Sequence, residues 1–119
     1  MDRKLALFSV VSVAVFVAGM AALAYRATSP TGSLTQVLIV NYSFSPLNLT
    51  IPVGTTVRWV NMDHVGHTVS FGMHGHETGI ESDLMGHMGS FSYTFTEPET
   101  YLYHCDPHPY MTGEVVVTS

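Results

Sequence analysis

The sequence holds a single cysteine, Cys105, in 119 residues. One thiol cannot close an internal disulfide, and in an oxidising compartment it is a liability unless something occupies it. Basic side chains are nearly as scarce: four Lys or Arg stand against nine Asp or Glu, and the net charge is −5. Beyond residue 33 the only basic side chain is Arg58, set against eight acids, which leaves that part of the chain at −7. A surface so negative excludes phosphate-backbone binding and therefore nucleic acid as a partner. It suits cationic partners or simple solubility. Charged residues make up 11% of the chain, where soluble domains usually carry roughly 25%. No amphipathic helical pattern of useful length is found beyond residue 33, which excludes a helical bundle.

Part of the charge deficit has a local cause. The stretch 5-LALFSVVSVAVFVAGMAALAY-25 is 21 residues without a charge. As a helix it would reach about 30 Å, enough to cross a bilayer. Arg3 and Lys4 precede it and only Arg26 follows closely, which orients the N-terminus to the cytoplasm and the rest outside. A cleaved signal peptide needs only about 7–15 apolar residues, so residues 1–26 are expected to form a retained N-terminal hydrophobic helix. The alternative is cleavage after Ala24, at Ala22-Leu23-Ala24. Either way the remainder faces the periplasm or cell exterior. Residues 27–33, rich in Pro, Gly, Ser and Thr, form a flexible tether, and residues 34–119 form the working domain.

Within that domain, short apolar and β-branched runs alternate with turn signals. Strands are predicted at 35–40, 47–51, 55–60, 67–71, 90–95, 100–105 and 113–118, separated by Ser45-Pro46, Pro52-Val53-Gly54 and Glu97-Pro98-Glu99. Phe91, Tyr93 and Phe95 share one face. Seven short strands in so few residues predict an all-β fold, a Greek-key β-sandwich. The stretch 72-GMHGHETGIESDLMGHMG-89 lacks a sustained strand pattern and reads as a long loop with a short strand around Glu81–Leu84.

Chemistry gathers around the one thiol, in 101-YLYHCDPHPYMTGEVVV-117. Cys105, His108 and Met111 offer thiolate, imidazole and thioether in a C-x-x-H-x-x-M spacing, and Pro107 and Pro109 stiffen the turn. Soft sulfur with imidazole suits copper: two His and one Cys around the ion with a weak Met form a blue-copper electron-transfer set. A second His must come from elsewhere in the fold, and 61-NMDHVGHTVSF-71 offers His64 and His67.

Taken together, these motifs resemble the cupredoxins of the plastocyanin/amicyanin group, and C-D-P-H-P-Y-M is nearest the amicyanin type of ligand loop. The family pattern N-x5-H-x-V-x-F is met by Asn61, His67, Val69 and Phe71, so the resemblance implies His67 as the remaining ligand. The likeness covers residues 34–118. It departs at 85-MGHMG-89, where relatives often carry a Leu-Gly-Pro-Gly-like turn. It implies one copper ion cycling between Cu(I) and Cu(II), bound by His67, Cys105, His108 and Met111. His108 would be the electron port for a redox protein donor and acceptor, and Thr68 would support the ligand loop. Trp59 and Phe71 read as core.

A monomer without small-molecule substrate or enzymatic activity is expected. A two-copper centre is excluded because it needs a second Cys. Strand alternation turns His104 away from Cys105, so His104 reads as a surface residue. Met73, His74, His76, Met85, His87 and Met88 are either incidental loop residues or accessory copper contacts. The competing function is copper sequestration or delivery through that Met/His-rich loop.

Overall fold

A computed structural model describes residues 33–119. The expected N-terminal helix, residues 1–26, and all of the tether except Ser33 lie outside the described residues. Nine strands follow in order: β1 Leu34–Val40, β2 Ser43–Ser45, β3 Asn48–Pro52, β4 Thr56–Asn61, β5 Ser70–Met73, β6 His76–Glu81, β7 Ser90–Thr94, β8 Glu99–His104 and β9 Thr112–Thr118. They form a four-stranded sheet, β2-β1-β4-β7, and a five-stranded sheet, β3-β9-β8-β5-β6. Two of the pairings, β1 with β4 and β3 with β9, are parallel. No helix among the described residues is long and apolar enough to cross a membrane.

Period-two alternation places the core between the sheets. Val37 and Ile39 of β1, Val57 and Trp59 of β4, and Val115 and Val117 of β9 are all buried. Burying aliphatic and aromatic side chains at these alternate positions supplies most of the drive to fold, at about 1.5–3 kcal/mol for each large side chain. Trp59 is the hub. Its ring meets those of Phe71, Phe91, Phe95 and Tyr103 at centroid distances of 6.1, 5.8, 6.5 and 5.4 Å, within the range of favourable aromatic pairs. Tyr103 lies so deep that burial pushes its phenol up to about 12.

The structure corrects the expected loop at 72–89. Its first half is a β-hairpin: β5 pairs antiparallel with β6, with Met73 opposite His76 across the turn His74-Gly75. Gly75 adopts φ 92°, a conformation open to glycine and costly for other residues. The register shifts between Ser70 and Gly72, and Gly72 at φ 98° has no room for a Cβ, which would strike the carbonyl of His76. The strand expected around Glu81–Leu84 therefore lies upstream, at His76–Glu81. Strand β2 was not expected either. The second half of the stretch is held by the core side: Met85 is buried and forms a bridge with His67.

On the core side of the second sheet, β8 and β9 leave little room beside Tyr103. Tyr103 lies opposite Gly113, and a Cβ at Gly113 would run into the Tyr103 ring. The ring is walled in by Phe44 and Trp59 and has nowhere to move. Gly113→Ala is therefore expected to destabilise the domain by about 1–3 kcal/mol, read as a lower midpoint of denaturant unfolding with an unchanged slope.

Candidate metal centre

Two segments distant in sequence meet at one end of the sandwich. The first runs from the end of β4 to the start of β5, and the second joins β8 to β9. Asn61 shapes the first. Its buried side-chain amide donates to the carbonyls of Val65 and Met85, and its side-chain oxygen accepts from the Asp63 amide. A second clamp comes from the backbone, where Asn61 N–H donates to Gly89 O and Met88 N–H donates to Asn61 O. With the chain held this way, His67 is fully buried. Its own backbone exchanges two hydrogen bonds with Met85.

The second segment is tied to itself. Cys105 N–H donates to Met111 O, His108 N–H to Cys105 O, and Met111 N–H to His108 O. These three bonds fold the seven residues into a compact turn that directs side chains inward at its start and end. Cys105 and Met111 are buried, His108 is half-buried, and Pro107, Pro109 and Tyr110 are exposed.

Thr68 joins the two segments. Its backbone N–H donates to Cys105 Sγ at 3.4 Å. Its hydroxyl accepts from the Asp106 amide at 2.8 Å. The first bond places a positive dipole end where a thiolate carries its charge. The second fixes the residue that follows the sulfur.

The result is a tight set of donors. Cys105 Sγ lies 3.6 Å from His67 Nδ1 and 3.5 Å from His108 Nδ1. All three donor atoms lie within 4.8 Å of one another. With zinc-like bond lengths, about 2.0 Å to nitrogen and about 2.3 Å to sulfur, donors around one ion stand about 3.6 Å apart. The spacing therefore fits a first-row metal, and the mixture of thiol and imidazole fits a soft or borderline one. Met111 closes the same turn with its side chain buried. His64, the other histidine of the first segment, is exposed and stacks on His87 at 3.9 Å; it is not part of the cluster.

Asp63 orients the buried imidazole. His67 Nε2 is 2.9 Å from Asp63 Oδ2. A carboxylate only accepts, so Nε2 carries the hydrogen and Nδ1 turns its lone pair toward the sulfur. Burial opposes ionisation of Asp63, but the amides of Tyr42 and Asn41 and the His67 ring outweigh it and hold the carboxyl below its ordinary value. The stability this contributes is present above the ordinary carboxylate range and is lost as pH falls through the lowered value.

Tyr42 was not singled out from sequence. It sits with Asn41 in the β1–β2 turn, both at positive φ, with their amides bound to the Asp63 carboxylate. Its ring stands edge-on to His67 at 5.3 Å and to His108 at 5.0 Å. The signal in the sequence was slight: Asn-Tyr is an ordinary turn pair.

His104 is a correction. It is fully buried, not a surface residue. Strand alternation does turn it away from Cys105, but the side it turns to is covered by the β5–β6 hairpin that the sequence did not reveal. Its Nδ1 is 2.8 Å from Gly72 O and its Nε2 is 3.0 Å from Asp106 Oδ1. Of the suggested accessory residues, Met85 is core, whereas Met73, His74, His76, His87 and Met88 are exposed.

Removing the charge that orients His67 should weaken metal binding without unfolding the domain. Asp63→Asn is expected to lower affinity by about 10–100-fold, read by competition with a chelator of known affinity.

The sequence model of the copper binding proteins, plastocyanin/azurin family, matches residues 33–118. The amicyanin of Paracoccus denitrificans is 41% identical over 66% of this chain and 61% of its own length. Amicyanin-alpha of Methylorubrum extorquens is 38% identical over 75% of each. The chain thus spans less than two thirds of the first relative and three quarters of the second. A purple cupredoxin from Nitrosopumilus maritimus superposes with a TM-score of 0.65 at 34% identity, over 71% of this chain and 99% of that one. A donor set spaced for one metal and a family match across the whole described domain lead to the same place: this chain belongs to the copper-binding plastocyanin/azurin family.

Proposed function

We propose that the domain is a one-electron carrier with a single copper held by Nδ1 of His67 and of His108, Sγ of Cys105 and the thioether of Met111. When bound, the copper supplies a Cu(I)/Cu(II) couple. The observation that carries the reading is the Cys105 sulfur, 3.6 and 3.5 Å from two imidazole nitrogens. Family membership supports it. Four protein donors leave no open position for a substrate, which favours a carrier over an enzyme.

Each residue has a distinct task. Cys105 provides the one anionic donor, stabilised by the Thr68 N–H. His67 anchors the site from inside, oriented by Asp63. Met111, buried at the end of the same turn, would supply the weakest of the four donors through its thioether. His108 is the electron port, since among the two imidazoles it alone reaches solvent. Its surroundings suit brief encounters with a redox protein: Pro107, Pro109 and Tyr110 are exposed around it, Tyr110 at 70%. Small apolar contacts of this kind favour rapid release. The acidic charge of the domain would steer a basic partner in a salt-dependent way. Residues 5–25 would hold the domain on the extracytoplasmic side of a membrane, by the charge asymmetry of Arg3 and Lys4 against Arg26.

Copper delivery is less well supported. Its sequence basis was a loose Met/His loop, but β5 and β6 form a paired hairpin and Met85 is buried in the core. The copper-loaded protein is expected to show an intense visible band when oxidised, to cycle reversibly and to keep its metal in both states. Cys105→Ser should abolish the band, and His108→Ala should leave folding intact while slowing electron exchange with protein partners. A colourless protein that surrenders Cu(I) to an acceptor on reduction would overturn this assignment in favour of delivery.

A further inference from the structure

A second cluster of donors lies on the far side of the Cys105 strand. His104 reaches it from β8, and His74 and Glu77 reach it from the β5–β6 hairpin. The carbonyl of Gly72 only accepts, so His104 Nδ1, 2.8 Å away, carries the hydrogen. Its Nε2 then presents a lone pair. That lone pair faces two carboxylates, Asp106 Oδ1 at 3.0 Å and Glu77 Oε2 at 3.5 Å. A buried lone pair opposed by two acceptors is unfavourable unless a cation sits on the nitrogen. The cation is either a proton or a metal ion.

The placement of His74 favours the metal. Its Nδ1 is 3.6 Å from the same Glu77 oxygen that faces His104. One donor atom from each of His74, Glu77 and His104 lies within 4.8 Å of the other two. The separations of 3.5 and 3.6 Å are close to the roughly 3.3 Å that donors keep around a tetrahedral ion with bonds of about 2.0–2.1 Å. A proton on His104 would be satisfied by the two carboxylates alone and would need no second imidazole. The Gly75 amide donates to Glu77 and, with its own backbone, holds this carboxyl below its ordinary value, so the oxygen is available as an anion. His104 is fully buried while His74 is 67% exposed, so the cluster has one fixed wall and one open side through which an ion can enter.

We infer that His74, Glu77 and His104 form a second metal site, with Asp106 as a further oxygen within reach, for a borderline divalent ion such as zinc(II) or copper(II). Two imidazoles with carboxylate and no sulfur match that class and discriminate against Cu(I). His104 and Cys105 are joined by one peptide bond, so the two centres meet at the end of β8. A positive charge at the second site would favour the reduced state of the first, and by reciprocity reduction would tighten the second.

The test is a zinc(II) titration of the full chain in detergent, with the Cys105 centre already filled by Cu(I), read by equilibrium dialysis and metal analysis. One zinc per chain is expected in addition to the copper, with X-ray absorption showing nitrogen and oxygen neighbours and no sulfur. Affinity should fall at least tenfold in His74→Ala and in Glu77→Gln, both at exposed positions whose substitution spares the core, and should be unchanged in His76→Ala. Three results would overturn the inference: no zinc beyond the copper; zinc whose affinity survives both substitutions, as it would if bound at His64 and His87; or nitrogen NMR showing His104 still doubly protonated with zinc in excess.

Discussion

Thr68 is the residue on which the geometry turns. One peptide N–H and one hydroxyl bind Cys105 Sγ and the Asp106 amide. These two bonds join segments 37 and 38 residues apart. Without them the sulfur would sit at the end of β8 with only its own turn to place it. With them, the entry to β5 and the exit from β8 move as one body. His67, the neighbour of Thr68, then has its ring position set relative to the sulfur before any metal arrives. A preformed cage of this kind changes little between charge states, which is the structural condition for fast electron exchange.

The cage is kept open by polar groups that are satisfied elsewhere. Asn61 is buried, and its amide bonds to Val65 and Met85 while its oxygen receives Asp63. Asp63 in turn binds Asn41, Tyr42 and His67. Each group already has partners, so none gains by swinging toward the thiol. A network in which every member is paired is rigid, and one with a missing member is costly. Tyr42 gains its position the same way: its amide bond to Asp63 fixes the turn, and the turn sets its ring against both imidazoles. The metal site thus rests on a layer of hydrogen bonds around the ligands, beneath which the Trp59 cluster supplies the hydrophobic floor.

What the sequence disclosed and what it hid follow from the same physics. Strands β1, β3, β7 and β9 alternate more and less exposed side chains throughout, and β4 and β8 do so over part of their length, and that alternation is visible in the residues. Strand β6, His76–Glu81, is largely exposed, so it has no apolar period to display. Only the glycines of the hairpin, with φ of 98° at Gly72 in β5, 92° at Gly75 in the turn and 93° at Gly79 in β6, set it apart, and glycines mark loops equally well. Missing β6 led directly to the misplacement of His104, since alternation gives the direction of a side chain but not what covers it. The short strand β2 was hidden for lack of length. By contrast, Cys105, His108 and Met111 were legible as a set because their spacing is local. The nearness of His67 needed the family pattern, because no local rule joins residues 38 apart. Asp63 and Tyr42 escaped notice because their roles depend on a contact between two turns.

The two donor clusters differ in a way that would sort metal ions between them. Around Cys105 the clustered donors are one sulfur and two imidazoles, with the Met111 side chain buried in the same turn, and the carboxylate of Asp63 meets the His67 ring on its far nitrogen. Around His104 the donors are nitrogen and oxygen, and two carboxylates face the same nitrogen directly. Soft monovalent copper gains from sulfur and little from extra anions. A harder divalent ion gains more from carboxylate oxygens, and its higher charge offsets their mutual repulsion. The end of strand β8 separates these environments with consecutive residues, because alternation carries one position past His104: Cys105 turns into one and His104 into the other. A single strand end therefore presents two chemically opposed faces to metal, and the pleat that hides a hydrophobic core also keeps the two ligand sets apart.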